Sequence, residues 1–412
     1  MLLTAYTNSA TDEFGRELCY LLGDRTASQV CVRTGNTNAA DQSLAIPFSN
    51  DSEFIKTRKI VLCTLVSLAK LPQNVTFDRV IVDEASINKI DHLLMPFQLS
   101  LKRGRFKAPF VYKSSFTDAD YSLSHLQQQL KELMNFLSQC GIAATVVGDP
   151  KQSQPTNLSS GERGNDDFYN SFSAIDWIIK SASHDTLHIT HRLPDTLARL
   201  VDDFAGYGGL ASAPEVAGRR LNITNFEGID HNFKQIINPE DIITWIDMPK
   251  SEEVPYKESS WSNPQEAVAC AKICENLVEL PTLRKNNSIV IITRFTGQVM
   301  AIKNLLAQMG LLDNFNIRVT TTTTALGTQG DIVLFSLVRN NQDKTLGALA
   351  ELPDLNVSIS RAKKKLIIVG SFDMMADGHG DRRRSKANYA HNLAKLIEAK
   401  YGKVIEVPQV LK

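Results

Sequence analysis

Short runs of branched apolar residues, each stopping at polar residues, recur along the chain and predict buried parallel strands. Amphipathic stretches between these runs predict helices. In the first such stretch, Thr7-Asn8-Ser9 precede the apolar stripe, Ser9 and Asp12 have capping-box spacing, and Gly23 follows the stripe. The predicted strands are 2–6, 28–33, 59–65, 80–82, 144–147, 242–248, 288–293, 318–324, 331–339 and 366–370, and the later helices start at Pro264 or cover about 298–309 and 387–400.

The run Val80–Ser86, V-I-V-D-E-A-S, stops at two adjacent carboxylates, Asp83 and Glu84. In open α/β sheets, ligands bind beyond the carboxyl ends of the strands. In a nucleotide hydrolase the first carboxylate holds Mg²⁺ on the phosphates, and the second polarises the attacking water. A solvated strand end would explain the same pair.

A second apolar strand, 144–147, delivers the loop G-D-P-K-Q-S-Q-P-T to the same predicted edge. Turn chemistry alone explains a loop at Gly148-Asp149-Pro150. The amide of Gln152, however, is spaced to sense a terminal phosphate. Two such strand exits together favour a functional edge over a chance pair of carboxylates.

Composition excludes some classes of protein but does not identify this one. The 412 residues allow two domains, and 43% hydrophobic residues are typical of a globular chain. Lysine plus arginine equals aspartate plus glutamate at 45 each, so net charge argues neither for nor against nucleic acid. We expect no membrane span and no signal peptide, and therefore a cytoplasmic protein, or a nuclear one in a eukaryote. The six scattered cysteines favour free buried thiols over a zinc site, although Cys270 and Cys274 lie one helical turn apart.

Four segments, V-D-E-A-S, V-V-G-D-P-K-Q, L-H-I-T-H-R-L-P (187–194) and N-V-S-I-S-R-A-K (356–363), resemble the ordered motifs of superfamily 1 helicases. The likeness is closest to the 5′-to-3′ branch that contains the nonsense-mediated-decay helicase. The opening T-A-Y-T-N-S-A-T-D-E-F is similar to that family's motif Ia, and 201–210 to the segment closing its first core domain. The resemblance implies an α/β fold with two tandem RecA-like domains and mainly parallel sheets: 1–210 with an insertion at about 87–143, a connector at 211–240, and 241–412.

Two departures from the family stand out. No Gly-rich loop ending in Gly-Lys-Thr or Gly-Lys-Ser is present; the single Gly-Lys pair, Gly402-Lys403, is followed by valine. We therefore expect the first domain to lack its P-loop strand, so that the sequence is part of a longer helicase, another chain supplies the strand, or the protein works without the loop. Where relatives have Gln-Gly-x-Glu, this chain has Leu326-Gly327-Thr328-Gln329, which puts coupling between nucleotide and nucleic-acid sites in doubt.

The resemblance implies ATP and Mg²⁺ as cofactors and assigns roles to single residues. Asp83 would hold the metal through water, Glu84 would deprotonate the attacking water, and Gln152 would contact the γ-phosphate. Arg192 and Arg361 resemble arginine fingers, with a surface position as the alternative for each. Further nucleotide contacts are implied for Gly148, Asp149, Arg294, Gly327 and Gln329, and nucleic-acid contacts for Thr7, Asn8, Thr64, Thr320 and Thr322.

The sequence thus predicts an ATP-dependent nucleic-acid helicase or translocase core that binds single-stranded RNA or DNA. The alternative is a catalytically silent nucleic-acid-binding or scaffold protein that kept the fold. The carboxylates, the glutamine and the two arginines favour the first, whereas the absent loop and Gln329 favour the second. A nuclease finds little support, because no carboxylate-lysine cluster stands apart from the helicase motifs.

Overall fold

The computed structural model forms two compact units, Met1–Asp185 and Thr186–Lys412, called the first and second unit below. Residues 186–210, which the sequence analysis placed in the first domain, lie in the second unit; the predicted functional domain boundaries stay a prediction. The predicted insertion at about 87–143 falls almost wholly outside the described residues. The structure describes residues 1–72, 75–88, 143–152, 184–223, 226–257, 260–284, 287–312, 315–380 and 388–411, with single positions 96, 131, 135, 175, 178 and 179.

The described part of the first unit contains one parallel sheet, with strand order β2-β3-β1-β4-β5. All four residues of β1 are buried, as expected for a central strand covered on both faces. The strands are β1 (Leu2–Ala5), β2 (Cys31–Arg33), β3 (Ile60–Thr64), β4 (Arg79–Val82) and β5 (Ala143–Val146).

Three helices accompany this sheet in the described residues: α1 (Asn8–Leu22), α2 (Asp24–Val30) and α3 (Ser52–Lys56). Thr7 caps α1, because its Oγ1 accepts a hydrogen bond from the Ala10 amide at 3.1 Å. The predicted capping box at Ser9 is wrong, since Ser9 lies inside the helix. The predicted strand 28–33 is also partly wrong: Gly23, at φ 76°, turns the chain into α2, and only the last three residues are extended.

The second unit contains a parallel sheet with order β12-β11-β13-β14-β8-β15, an antiparallel hairpin of β9 and β10, and a short parallel pair of β6 and β7. The predicted strands at 242–248, 288–293, 331–339 and 366–370 are all present, whereas Thr322–Thr324 follow their strand as a turn. The strands are β6 (Ile189–Thr190), β7 (Ala211–Ser212), β8 (Ile243–Asp247), β9 (Val254–Tyr256), β10 (Ser260–Ser262), β11 (Ile289–Thr293), β12 (Ile317–Thr321), β13 (Gly330–Ser336), β14 (Ala362–Gly370) and β15 (Lys403–Glu406).

Helices pack around this sheet, and α7 begins at Pro264 as predicted, with Asn263 as its cap. Two short helices lie within the predicted connector. The predicted helix at 387–400 is shorter and continues as a π-helical turn, Ile397–Tyr401. The described helices are α4 (Asp195–Ala205), α5 (Pro214–Ala217), α6 (His231–Ile237), α7 (Pro264–Glu279), α8 (Pro281–Arg284), α9 (Thr296–Gln308), α10 (Leu352–Ile359), α11 (Phe372–Asp377) and α12 (Tyr389–Leu396).

The predicted α/β class with mainly parallel sheets is confirmed. Cys270 and Cys274 are fully buried free thiols in α7, and burial raises the pKa of Cys274 to about 12. Within the described ranges, no cluster of three His, Cys, Asp or Glu side chains is arranged to bind a metal ion. Nor does any described helix combine the length and apolar character needed to cross a membrane.

Candidate functional site

Asp83 and Glu84 follow β4 at its carboxyl end, as predicted. The Asp83 amide extends the pairing of β4 with β1 by donating to the Thr4 carbonyl at 2.9 Å. Glu84 then adopts a left-handed backbone, with φ 54° and ψ 38°, before a 3₁₀ turn at Ala85–Ile87. Residues other than glycine rarely take this conformation, and such outliers cluster at functional sites.

The loop after β5 lies directly against this turn. The Ala85 amide donates to the Val147 carbonyl at 3.0 Å. A Cβ atom on Gly148 would come within 3.0 Å of the Ser86 nitrogen and 3.2 Å of the Ala85 nitrogen. A larger residue here would require the Ala85–Ser86 backbone to move by a few tenths of an ångström, so glycine suits this close approach. The two predicted strand exits do meet at one edge of the sheet.

Asp149 organises the loop that carries Gln152. Its Oδ1 accepts from the Lys151 amide at 2.9 Å, and its Oδ2 accepts from Gln152 Nε2 at 2.8 Å. The Gln152 backbone amide also donates to the Asp149 backbone carbonyl at 3.1 Å. Asp149 thus shapes the turn, and direct nucleotide contacts by Gly148, Asp149 and Gln152 stay predictions.

The donor set near Asp83 fits magnesium in the way nucleotide enzymes bind it. Mg²⁺ is commonly held by one or two carboxylates together with substrate phosphates and water. Asp83 offers one half-buried carboxylate, whose Oδ1 accepts from the Glu84 amide at 2.8 Å. The site therefore matches an ion brought with a phosphate ligand better than a closed metal cage.

In the second unit, Arg192 and Arg361 meet at Ser360, near the amino end of β14. Arg192 Nη1 donates to the Ser360 carbonyl at 3.3 Å, and its Nε donates to Gln329 Oε1 at 3.2 Å. Arg361 Nη2 donates to Ser360 Oγ at 3.4 Å, and its Nε donates to the Val357 carbonyl at 3.1 Å. Arg361 is only 2% exposed, so the surface alternative for Arg361 is wrong.

Asp354, in the first turn of α10, bridges two other predicted site residues. Its Oδ2 accepts from Arg294 Nε at 2.8 Å, and its Oδ1 accepts from the Thr322 hydroxyl at 2.7 Å. The opposite end of the same helix leads into Ser360. Helix α10 therefore connects the threonine segment with the arginine pair inside one unit. Gly327, with φ 71°, supplies a left-handed turn after the threonine segment, in the part of the chain that leads toward α10.

The predicted nucleic-acid residues have local structural partners. Thr7 caps α1, and Asn8 Oδ1 accepts from Arg33 Nη2 at 2.8 Å. Thr64 is 4% exposed and donates to Ser67 Oγ at 2.9 Å, while Thr320 Oγ1 lies 2.7 Å from Thr324 Oγ1. These contacts account for the hydroxyl and amide groups, and nucleic-acid binding by these residues stays a prediction.

A buried carboxyl group lies at the carboxyl edge of the second sheet. Glu266 in α7 is 0% exposed and accepts from Ser336 Oγ at 2.7 Å and from the Val338 amide at 2.8 Å. Burial raises its pKa to about 8, against the opposing effect of these hydrogen bonds. At neutral pH the proton therefore stays largely bound, and the group ties α7 to the end of β13.

Sequence reasoning missed three residues that the structure places at these sites: Asn88, Asp354 and Ser360. Asp354 carried a signal only for its place in the fold, because an acidic residue after Pro353 is typical of the first turn of a helix. Ser360 contributes its backbone carbonyl, which no side-chain pattern reveals. Asn88 lies beyond the recognised V-D-E-A-S segment and carried no signal.

Comparisons with known proteins found sequence similarity to a protein family and to proteins named as helicases. A family model described as an AAA domain matches residues 172–373. The DNA polymerase alpha-associated DNA helicase A of Schizosaccharomyces pombe is 27% identical over 186 residues, 45% of this chain and 27% of that protein. The regulator of nonsense transcripts 1 of Dictyostelium discoideum is 28% identical over 177 residues, 42% of this chain and 13% of that protein.

A solved arterivirus nonstructural protein 10 (helicase) in complex with DNA matches 92% of this chain and 55% of that chain, with 13% identity and a TM-score of 0.41. The chain spans less than a third of the length of the two curated relatives above.

The parallel sheets and their polar strand exits define an α/β protein whose carboxyl strand ends carry polar loops. The curated relatives make the class specific: this chain is related to the superfamily 1 helicases, and the resemblance inferred from the motifs is confirmed.

Proposed function

We propose that the chain is an ATP-dependent helicase or translocase core made of two RecA-like domains. One observation carries the proposal: Glu84, at the end of a buried parallel strand, is held in a left-handed backbone against the Gly148 loop. Conformational strain at a carboxylate next to a second carboxylate is expected where chemistry requires placement. The relatives named as helicases support the same conclusion.

Each residue at this edge then has a defined task. The Glu84 carboxylate orients the attacking water and takes its proton, and Gln152 holds a terminal phosphate oxygen. Asp83 would hold Mg²⁺, which would supply positive charge to neutralise the phosphates of ATP. The hydrogen bond from Gln152 Nε2 to Asp149 limits the rotation of the amide, so that its position is fixed before a nucleotide binds.

Arg192 and Arg361 supply the positive charge that phosphoryl transfer needs. A guanidinium that reaches the transferring phosphate changes the rate by about 10³ to 10⁵ in known nucleotide hydrolases. Both arginines contact Ser360, and therefore a shift of this residue would move both guanidinium groups together. Gln329, also bonded to Arg192, links this pair to the segment after the threonines.

We further propose that a phosphate-loop strand, from a further segment or another chain, pairs with β5. The Ala143 and Val147 amides donate toward β4, to the Asp78 and Val82 carbonyls at 3.0 and 2.8 Å. Alternate residues point the other way, so Ala144 and Val146 direct their amides to the opposite edge. No strand among the described residues pairs there, and Val147 is 41% exposed.

Hydrogen exchange tests this edge. In the chain alone, the Ala144 and Val146 amides should exchange quickly, while the Val147 amide, bonded to β4, is protected. A fusion that places an apolar strand and a Gly-x-x-x-x-Gly-Lys-Thr loop ahead of Met1 should slow exchange at Ala144 and Val146. Protection of these two amides in the chain alone would contradict the proposal.

ATP turnover tests the function. It should be measured for the chain and for the fusion, with and without single-stranded RNA or DNA. We expect strand-stimulated turnover that is lost in Glu84→Gln and in a fusion whose loop lysine is replaced by alanine. Retained turnover in Glu84→Gln would remove Glu84 from the mechanism.

The second candidate is a catalytically silent nucleic-acid-binding or scaffold protein. Gln329, an amide at the position of the family's carboxylate, favours this candidate. Nucleic-acid binding by the chain and the fusion, without nucleotide binding or turnover in either, would establish it. For either activity we propose a cytoplasmic or nuclear location, because the partners are nucleic acids.

A further inference from the structure

The left-handed backbone of Glu84 needs a restraint, because an L-residue released from its neighbours prefers other conformations. The residue lies between β4, which fixes the chain before it, and the 3₁₀ turn at Ala85–Ile87, which starts after it. Any group that holds the Glu84 peptide in place also fixes the direction in which its carboxylate leaves the backbone.

Asn88 makes such a contact. Its Nδ2 donates to the Glu84 carbonyl at 3.0 Å, and the same carbonyl accepts from the Ile87 amide at 3.3 Å. The Asn88 backbone amide donates to the Ala85 carbonyl at 3.2 Å. Two donors therefore converge on one carbonyl oxygen and fix the peptide plane that follows Glu84.

This arrangement has an energetic cost at Oδ1, the oxygen atom of the Asn88 side-chain amide. Asn88 is 0% exposed, and its Oδ1 has no hydrogen-bond partner among the described residues. An apolar residue of the same shape would avoid a buried, unsatisfied oxygen. The amide is better than leucine at this position only through the hydrogen bond that Nδ2 donates to Glu84.

We propose that Asn88 is a positioning residue for Glu84: its side-chain amide holds the left-handed backbone from which the Glu84 carboxylate is presented. The inference rests on the proposed function only for the role of that carboxylate. The conformational part stands on the contacts of Asn88 and is tested separately.

The first measurement is amide hydrogen exchange in Asn88→Leu, a substitution that keeps the branching at Cγ and the number of side-chain heavy atoms and removes both polar amide atoms. The reporter is the Ala85 amide, which donates to Val147 only while the turn keeps its shape. We expect its exchange to become roughly tenfold faster, about the effect of one hydrogen bond, while the melting temperature is unchanged or higher. Asn88→Ala provides a second variant in case leucine does not fit.

Substitutions at Glu84 separate positioning from packing. In the Asn88→Leu background, Glu84→Gly should restore protection of the Ala85 amide, because glycine takes positive φ without strain. Glu84→Ala keeps the Cβ atom and should not restore it. Equal exchange in the glycine and alanine backgrounds, or unchanged exchange in both Asn88 variants, would overturn the proposal.

Turnover by the fusion then connects the position to the reaction. Asn88→Leu should lower kcat roughly tenfold and leave KM within about twofold, since nucleotide binding does not involve Asn88. If even the parent fusion has no turnover, the proposed function fails, while hydrogen exchange still decides whether Asn88 positions Glu84. If the parent turns over and Asn88→Leu matches it in kcat, the positioning role is wrong.

Discussion

Strands β5 and β14 are both parallel and apolar, yet their surroundings differ. In β5, Ala143 and Thr145 are exposed, and the other two residues are only partly buried. In β14, residues 366–369 are all 0% exposed, and the strand pairs with β13 on one side and β8 on the other. Strand β14 therefore lies inside the core of the second unit, whereas β5, beside the Asp-Glu loop, is paired on one side only by the strands that the structure describes.

A buried arginine in the first unit and a buried lysine in the second unit have different hydrogen-bond partners. In the first unit, Arg33 Nε lies 2.7 Å from Asp12 Oδ1, and both side chains are nearly inaccessible. In the second unit, the buried Lys365 ammonium donates to neutral oxygens: the Thr244 hydroxyl at 2.8 Å, the Asn238 carbonyl at 3.3 Å and the Asp241 carbonyl. The Arg33 charge has a carboxylate at hydrogen-bond distance, whereas the oxygens that accept from the Lys365 ammonium are neutral.

Breaking the paired charge should have the largest effect. Asp12→Ala leaves the Arg33 guanidinium buried beside neutral groups, so we expect a loss of about 3 to 5 kcal/mol in the free energy of unfolding. Urea unfolding measures it. The control is Glu13→Ala, which removes a surface ion pair with Arg16 and should cost about 1 kcal/mol or less. Equal losses in the two variants would show that the Arg33–Asp12 pair does not stabilise the first unit.

Removing the Lys365 charge should have the opposite sign. The double variant Lys365→Met with Thr244→Val replaces the ammonium and one of its three acceptors by apolar groups, and we expect it to gain about 1 to 4 kcal/mol at pH 7, because the cost of burying the charge exceeds the loss of the hydrogen bonds to the Asn238 and Asp241 carbonyls. The matched control is Lys364→Met on the same strand, whose Nζ lies 3.0 Å from Asp331 and is partly exposed, and which should lose slightly. A double variant less stable than the parent would mean that the ammonium contacts outweigh the cost of burial.

The same lysine should give stability a defined pH dependence. Burial lowers its pKa from 10.5 to about 7, so the unfolded chain binds more protons than the folded chain between these values. The contribution of Lys365 to stability therefore rises as pH increases from about 7 to 10.5, and it is constant below that window. The double variant should lose this rise, whereas Lys364→Met should keep it.

Most of the fold could be predicted because its strands are continuous apolar runs that end at polar residues. The strands at 288–293 and 331–339 could be predicted without knowledge of tertiary contacts. The run at 28–33 could not, because its first residues are equally compatible with the last turn of a helix. Gly23 starts α2, and this helix takes up the first part of the run. Strand β15 was missed because Lys403–Glu406 alternates in burial at the edge of the sheet and lacks a branched apolar run.

The positions of several candidate-site residues at one sheet edge could be predicted from the sequence, whereas the hydrogen bonds that these residues make could not. Asp83, Glu84 and Gly148 could be placed at one edge because parallel strands deliver their ends together. Departures from the family pattern make sense only in the structure: Leu326, at the position of the family's glutamine, is 0% exposed and packs as a core residue. The left-handed backbone of Glu84 is accompanied by a side-chain contact from Asn88 and by the close approach of the Gly148 loop, and a sequence pattern does not report contacts of this kind.

The last prediction compares β5 and β14 with one substitution. Val369→Ala in β14 removes two methyl groups from a fully buried site and should cost about 2 kcal/mol or more. Val146→Ala in the half-buried β5 should cost less than about 1 kcal/mol. In the fusion that supplies a strand beside β5, the Val146→Ala cost should rise toward the Val369 value, because its methyl groups then become covered. Urea unfolding of the chain, its Val369→Ala and Val146→Ala variants, the fusion and the Val146→Ala fusion measures this change. An unchanged Val146→Ala cost in the fusion would mean that the added strand does not cover β5.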